Sequence, residues 1–396
     1  MSKSKVDKRQ VQLNSEELKT FLKHIVSNNK HIQAQGKIPV SVSVTGEAGT
    51  GKTSTIIELA HELGLQIVKL NLAQLEEVGD LVGFPVKEFQ IQNAEGKTQW
   101  INEAQIDAAM RKQYKVVGKR MSYAAPEWIA GKGEGGILLI DDFNRADTRF
   151  TQACMELLDR QEYISWQLPK NWHIILSQNP DDGDYMVNAQ DLAQQTRYIS
   201  VDFKFDVDCW SKWAEKNNVD GRAINFLLMH PEVVTKETNA RIITKFFDAI
   251  SSIPKFEDNL PLIQMIGEGS VGVDFSSMFT MFINNKLDRI ISPADILTKD
   301  EQYVMNSLTN AVGKDDDFRA DISSVIATRV INYSLTLAEK GAVGKPIIDR
   351  IAKLTTDCEA FTNDLRYYMV KEIVNGNKVK FSPLMMNQDV VKMAVK

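Results

Sequence analysis

The chain has few cysteines, and none of them lies in a paired motif. Cys154, Cys209 and Cys358 are the only three in 396 residues, and they are far apart in the sequence. This spacing excludes a CxxC metal site and a dense disulfide framework. Isolated thiols are typical of a reducing compartment, so the sequence predicts a cytoplasmic protein.

Long apolar runs and an excess of charge are also missing. No window approaches the ~18 apolar residues that cross a bilayer, so no membrane span is predicted. The basic start, MSKSKVDKRQ at 1–10, has no apolar stretch behind it and predicts a solvated tail rather than a signal peptide. A net charge of −5 argues against a broad nucleic-acid surface and leaves a local basic patch open.

Apolar periodicity predicts an α/β fold in the first half of the chain. Short apolar strands alternate with helical stretches, which indicates a parallel sheet with helices on both faces. The predicted strands are 38–46, 65–72, 135–141, 173–179 and 197–203, and the helices are 15–29 (with Ser15 as N-cap), 53–64 and 148–162. EFQIQNAEGKTQWI, residues 88–101, predicts a β-hairpin.

After about residue 206 the strand signals stop and the pattern is helical. We therefore predict four parts: an N-terminal helical segment with the basic tail at 1–35, an α/β nucleotide-binding part at 36–205, and helical regions at 206–305 and 306–396. NAVGKDDDF, residues 310–318, is the best candidate for a linker between the helical regions.

The stretch GEAGTGKT at residues 46–53 predicts a phosphate-binding loop, because it lies between a predicted strand and a predicted helix. Its glycines allow a tight turn with inward N–H groups, and the helix adds the positive end of its dipole. Lys52 is expected to reach the β- and γ-phosphates of ATP, and the Thr53 hydroxyl to bind Mg²⁺. The predicted nucleotide-binding residues are Gly46, Glu47, Ala48, Gly49, Thr50, Gly51, Lys52, Thr53 and Ser54.

GGILLIDDFNRAD, residues 135–147, places two acids at the end of a buried strand. Asp141 is expected at the carboxyl edge of the sheet, beside the loop, as a second magnesium ligand acting through water. Asp142 is expected to orient the attacking water, although many nucleotide hydrolases have glutamate there. Aspartate reaches about 1.5 Å less far, and a misplacement of about 1 Å can slow a reaction roughly a hundredfold. Slow hydrolysis is therefore the favoured interpretation, with an ATP-bound switch as the alternative.

These motifs together resemble an AAA+ ATPase, and more narrowly its MoxR-type branch, over residues 36–285. Beyond the two Walker motifs, the resemblance rests on segments in the branch's order. They are LEEVGDLVGFP (75–85), APEWI (125–129), DFNRAD (142–147), QLPKNWHIILSQNP (167–180), QTRYISVDF (195–203), NARIITKF (239–246) and IGEGSVGVDFSSMFTMF (266–282). The implied fold is a P-loop AAA+ domain with a parallel sheet flanked by helices. An α-helical lid (206–305) and an additional C-terminal helical region would follow it.

The resemblance also implies roles for three further residues. Asn179 would be the polar sensor that contacts the γ-phosphate or the attacking water. Arg197 would be the arginine finger that reaches the nucleotide of a neighbouring subunit. Arg241 would be the lid arginine, although Ala240 stands where the family usually has proline. Arg145 and Arg149 remain alternatives for a residue that acts across a subunit boundary.

The implied activity is hydrolysis of ATP to ADP and phosphate with Mg²⁺, in a ring of subunits that is most often a hexamer. The implied work is chaperone-like remodelling of a protein partner, and the partner class is a protein with a von Willebrand factor A domain. Two alternatives stay open. One is a DNA-associated clamp loader or helicase loader, and the other is a non-hydrolysing ATP-bound scaffold.

Overall fold

The computed structural model of the protein describes residues 11–105, 115–285, 287 and 290–395. The chain forms two compact units, Met1–Lys204 and Phe205–Lys396. Within the described ranges, no helix has both the length and the apolar character needed to cross a bilayer. The predicted basic tail, residues 1–10, lies outside the described residues.

A six-stranded parallel sheet forms the centre of the first unit. The strands of the unit are β1 (Gln12–Leu13), β2 (Ser41–Thr45), β3 (Gln66–Asn71), β4 (Pro85–Gln92), β5 (Thr98–Asn102), β6 (Lys115–Tyr123), β7 (Gly136–Asp141), β8 (Glu162–Tyr163), β9 (Trp166–Gln167), β10 (Trp172–Gln178) and β11 (Tyr198–Phe203). The order in the central sheet is β1-β11-β2-β10-β7-β3. The five predicted strands are confirmed as β2, β3, β7, β10 and β11, whereas β1 was not predicted because two residues show no periodicity.

Helices cover both faces of this sheet, as the sequence predicted. The helices of this unit are α1 (Ser15–Ala34), α2 (Lys52–Glu62), α3 (Val78–Val82), α4 (Thr148–Arg160) and α5 (Leu192–Gln195). Successive side chains of a strand point to opposite faces, so Ile137 and Leu139 pack with α1 and α2 while Leu138 and Ile140 pack with α3 and α4. The expected α/β class is therefore confirmed.

The first helix corrects the predicted N-cap. Asn14, not Ser15, caps α1, because its side chain accepts from the N–H groups of Glu16 and Glu17. The Glu17 carboxylate in turn accepts from the Asn14 N–H at 2.9 Å, which completes a capping box that Ser15 could not form. Lys19 ties α1 to α2 through Glu58 and Glu62, so this helix is part of the first unit.

The predicted hairpin is confirmed, but it belongs to a three-stranded antiparallel sheet. β4 pairs with β5 around the turn at residues 93–97, where Gly96 has a φ of +83°. β6 pairs with the other side of β4 and was not predicted. The register between β4 and β6 shifts next to Gln90, which interrupts the alternation of inward and outward side chains along β6. Because a strand is predicted from that alternation, β6 could not be recognised in the sequence.

The second unit is helical throughout its described part and has one continuous hydrophobic core. Residues from Trp210 to Val390 contribute to this core, so the predicted regions 206–305 and 306–396 share it. The four-part domain division stays a prediction. The helices are α6 (Val207–Lys216), α7 (Gly221–Met229), α8 (Ala240–Ile250), α9 (Leu260–Ser270), α10 (Val273–Asn284), α11 (Pro293–Thr298), α12 (Glu301–Val312), α13 (Ala320–Glu339), α14 (Lys345–Thr356), α15 (Asn363–Gly376), α16 (Lys378–Phe381) and α17 (Gln388–Val395).

A buried ion pair and a hydrogen bond from the same arginine link three of these helices. The guanidinium of Arg329 on α13 donates to both carboxylate oxygens of Glu215 on α6, at 3.1 and 3.2 Å. Its third contact is the side-chain oxygen of Asn225 on α7, at 3.1 Å. Because both charged side chains are more than nine-tenths buried, the pair replaces the water that each would otherwise bind.

Candidate functional site

The predicted phosphate-binding loop joins β2 to α2 and depends on its glycines. Gly49 and Gly51 have φ angles of +74° and +103°, which side chains rarely tolerate. A Cβ atom on Gly46 would lie 2.7 Å from the carbonyl oxygen of Phe203 on β11. The loop therefore turns tightly against the neighbouring strand before α2 begins.

Lys52 lies inside this loop and is only 6% exposed. Its ammonium group donates to the carbonyl oxygens of Gly46 at 2.6 Å and Glu47 at 2.8 Å. The hydroxyl of Thr50 also donates to the Glu47 carbonyl, at 2.7 Å. The positive charge of Lys52 is thus held among the backbone groups of the loop. Ser54, the last of the residues predicted to bind nucleotide, is exposed.

The two predicted magnesium ligands are in contact. The Thr53 hydroxyl donates to one oxygen of Asp141 at 3.0 Å, and the Lys69 ammonium lies 2.9 Å from the other oxygen. Burial alone would raise the pKa of the Asp141 carboxyl, but hydrogen bonds from Lys69, Ser177 and Thr53 outweigh it and lower that pKa. A hydroxyl beside an ionised carboxylate is an oxygen donor set that suits Mg²⁺.

Asp142 and Asn179 are also brought together, at the ends of β7 and β10. The Asn179 amide donates to one carboxylate oxygen of Asp142 at 3.0 Å, and Arg145 lies 3.9 Å from the other. Asp142 has φ +52° and ψ +37°, a left-handed conformation that aspartate and asparagine adopt more readily than other non-glycine residues. The backbone conformation at this position therefore favours a short polar side chain such as aspartate.

Sequence reasoning missed Asn144, which fixes the end of β10. Its amide donates to the Asn179 carbonyl at 2.7 Å, and its side-chain oxygen accepts from the Asn179 N–H at 3.2 Å. Asn144 and Asn179 are each 4% exposed, so these bonds are shielded from water. Lys69 was also missed. The signal for Asn144 was its place in DFNRAD, and the signal for Lys69 was a single charge within an apolar strand.

The two predicted arginines are not among the residues of the contacts described above. Arg197 precedes β11, where its guanidinium pairs with Asp159 of α4 at 3.2 Å and donates to the Ala193 carbonyl. Arg241 is exposed in the first turn of α8, in the second unit. Arg149, an alternative residue for action across a subunit boundary, pairs with Asp147. The roles of Arg197 and Arg241 stay predictions.

The phosphate-binding loop, the two acids Asp141 and Asp142, and Asn179 lie at the same edge of the sheet. Asp141 ends β7 and Asn179 follows β10, and β10 pairs with both β7 and β2. In open parallel sheets this carboxyl edge is where ligands bind. Together with the helical second unit, the arrangement fits an α/β AAA+ fold.

No protein-family model matches the chain, and no curated protein matches it. Among solved structures, the chain is similar to a RuvB mutant of Thermotoga maritima with 15% identity and a TM-score of 0.36, over 78% of this chain and 89% of that one. The Thermotoga maritima RuvB Holliday junction branch migration motor has 16% identity and a TM-score of 0.35, over 82% and 87%. The order of the parallel sheet and the glycine-rich loop, rather than these likenesses, are the evidence for the fold.

Proposed function

We propose that the chain is a magnesium- and ATP-dependent AAA+ ATPase of the MoxR type that hydrolyses ATP to ADP and phosphate. The observation that carries this proposal is the contact of Thr53 with Asp141, beside the loop that holds Lys52. Among the described residues of the first unit, no other place combines a glycine-rich loop, a buried ammonium group and an ionised carboxylate. These are the groups that phosphate binding and metal binding need.

Each residue of the site has a separate task in this proposal. The loop from Gly46 to Thr53 would bind the phosphates through its N–H groups from Gly49 onward and through the Lys52 ammonium. Thr53 and Asp141 would hold Mg²⁺. The metal, when bound, supplies positive charge against the phosphate oxygens. Asp142 would accept the hydrogen bond that orients the attacking water, and Asn179 would keep its carboxylate in place.

The assembly and the work of the protein follow from the sequence resemblance. The subunits would form a ring, most often a hexamer, in which Arg197 reaches the nucleotide of the neighbouring subunit. The ring would remodel a cytoplasmic protein partner of the class that carries a von Willebrand factor A domain. A DNA-associated loader would instead show turnover that DNA stimulates and that falls steeply with salt.

Mixing two inactive variants tests the shared site. Lys52→Ala and Arg197→Ala are each expected to abolish turnover. In a ring, however, a Lys52→Ala subunit can still offer Arg197 to a neighbour with an intact loop. Random mixing in equal amounts makes about one interface in four complete, so recovery of about a quarter of the wild-type rate is expected. Phosphate release against mixing ratio measures it.

Arg160→Ala is the matched control, because Arg160 is a surface arginine of the same unit that pairs with Glu162. This variant is expected to retain turnover by itself. A mixture that stays inactive at every ratio would contradict a site shared between subunits.

A further inference from the structure

One tyrosine bridges two residues of the phosphate-binding loop. The hydroxyl of Tyr185 donates to a carboxylate oxygen of Glu47 at 2.6 Å and accepts from the Ala48 N–H at 3.1 Å. Glu47 and Ala48 are successive residues in the first half of the loop, just before the two glycines with positive φ. Tyr185 is distant in sequence from the loop, and sequence reasoning did not assign it a role.

The segment that carries Tyr185 is fixed at both ends by the polypeptide that follows β7. At one end, the Asn144 side chain binds the backbone of Asn179. At the other end, the Asn188 N–H donates to the Asn144 carbonyl and the Asn188 amide donates to the Ala146 carbonyl, both at 2.7 Å. Both ends of the segment that carries Tyr185 are therefore held through Asn144, the residue that also binds the backbone of Asn179.

We propose that Tyr185 is a positioning residue that holds the first half of the phosphate-binding loop ready for nucleotide. This inference rests on the proposed function. Glycine-rich segments lose much conformational entropy when they are ordered, so a fixed anchor on Glu47 and Ala48 lowers the entropy lost on binding. The bond to the Glu47 carboxylate is the stronger of the two, since its acceptor is charged.

Tyr185 also connects the phosphate-binding loop to Asp142 through a series of contacts. Tyr185 is three residues before Asn188, whose N–H donates to the Asn144 carbonyl. Asn144 in turn binds the backbone of Asn179. The side-chain amide of Asn179 donates to Asp142. A shift of the loop on nucleotide binding would therefore reach the residues proposed to orient water. Tyr185 does this without touching the reacting atoms.

Tyr185→Phe removes both hydrogen bonds and keeps the ring. We expect the affinity for labelled ADP to fall about tenfold, which is the size of effect expected when a hydrogen bond to a charged group is lost. Tyr198→Phe is the matched control, because its hydroxyl bonds to Gln190 rather than to the loop. That control is expected to bind ADP with wild-type affinity.

A double-mutant cycle separates positioning from a general loss of stability. In a Glu47→Ala background one of the two bonds is already gone, so Tyr185→Phe should weaken ADP binding clearly less than tenfold. Glu47→Gln keeps an oxygen that can accept from Tyr185 but removes the charge, so the loss in that background should lie between those in the wild-type and Glu47→Ala backgrounds. The melting temperature without nucleotide, recorded for each variant, shows whether folding alone has changed.

Wild-type affinity in Tyr185→Phe, or an equal loss in the wild-type and Glu47→Ala backgrounds, would overturn the inference and leave the proposed function standing. Failure of the wild-type protein to bind any nucleotide would overturn the proposed function, and this inference with it. A tenfold loss that shrinks most in the Glu47→Ala background and is intermediate in the Glu47→Gln background is the result we expect.

Discussion

Asparagine in place of Asp142 is expected to slow phosphate release from ATP by at least about a hundredfold, the lower range for loss of a positioned acid–base group. An amide cannot take up the proton of the attacking water, whereas the Asp142 carboxylate can. Nucleotide affinity should change little, because the loop, Lys52 and the Thr53–Asp141 contact remain. Steady-state phosphate release and ADP affinity, measured on the same preparations, test both halves of this prediction.

The fold should tolerate this change. Asparagine adopts the left-handed conformation at position 142 as readily as aspartate does, and its side-chain oxygen can still accept from Asn179. Asp142→Glu is the matched control. It keeps the carboxylate and is expected to retain turnover, although the longer side chain fits this backbone conformation less well. Turnover of the asparagine variant at the wild-type rate would remove Asp142 from the mechanism.

The second large effect concerns stability. Arg329→Ala is expected to lower the free energy of unfolding of the second unit by about 3–5 kcal/mol, because it leaves the Glu215 carboxylate buried without a partner. Asn225 loses its hydrogen bond at the same time. Denaturant unfolding followed by helical circular dichroism measures the loss.

Arg319→Ala is the control for this experiment. Arg319 pairs with Asp321 at the start of the same helix, but both side chains are about half exposed. Exposed pairs contribute about 0–1 kcal/mol, so little destabilisation is expected there. A double variant that replaces Arg329 and Glu215 with methionine and leucine should recover much of the stability. Equal losses of unfolding free energy in Arg329→Ala and Arg319→Ala would contradict a special contribution of the buried Arg329–Glu215 pair to stability.

The sequence predicted the parts of the fold that depend on local pattern. Five of the six strands of the central sheet carry an apolar run or an apolar alternation with Ile, Leu or Val, so they could be located from the sequence pattern. The contact between Thr53 and Asp141 was predictable too, because the loop motif and the acid strand both end at the carboxyl edge of one sheet.

What the sequence missed depends on contacts between distant segments. β1 is a strand only because β11 lies beside it, and two residues carry no pattern of their own. Asn144 was visible in its motif, but nothing local shows that it clamps the backbone of Asn179. Tyr185 reaches Glu47 across 138 positions of sequence, a separation that no periodicity encodes.

At Asp142, part of the site was visible in the sequence and part is shown only by the structure. The sequence correctly raised the question of a shorter acid, and the structure adds the left-handed backbone that favours it. The family resemblance implied only that Asn179 is a polar sensor; its contact with Asp142 was not predicted, and the structure brings the two side chains together.

The most direct test of the central claim is steady-state phosphate release from the wild-type protein with Mg²⁺ and ATP, across a range of protein concentration, beside Lys52→Ala. The account predicts slow turnover that rises with concentration as subunits assemble, and none from Lys52→Ala. ATP binding that Lys52→Ala abolishes, with no phosphate release from the wild-type protein at any concentration, would contradict hydrolysis. The protein would then be an ATP-bound scaffold.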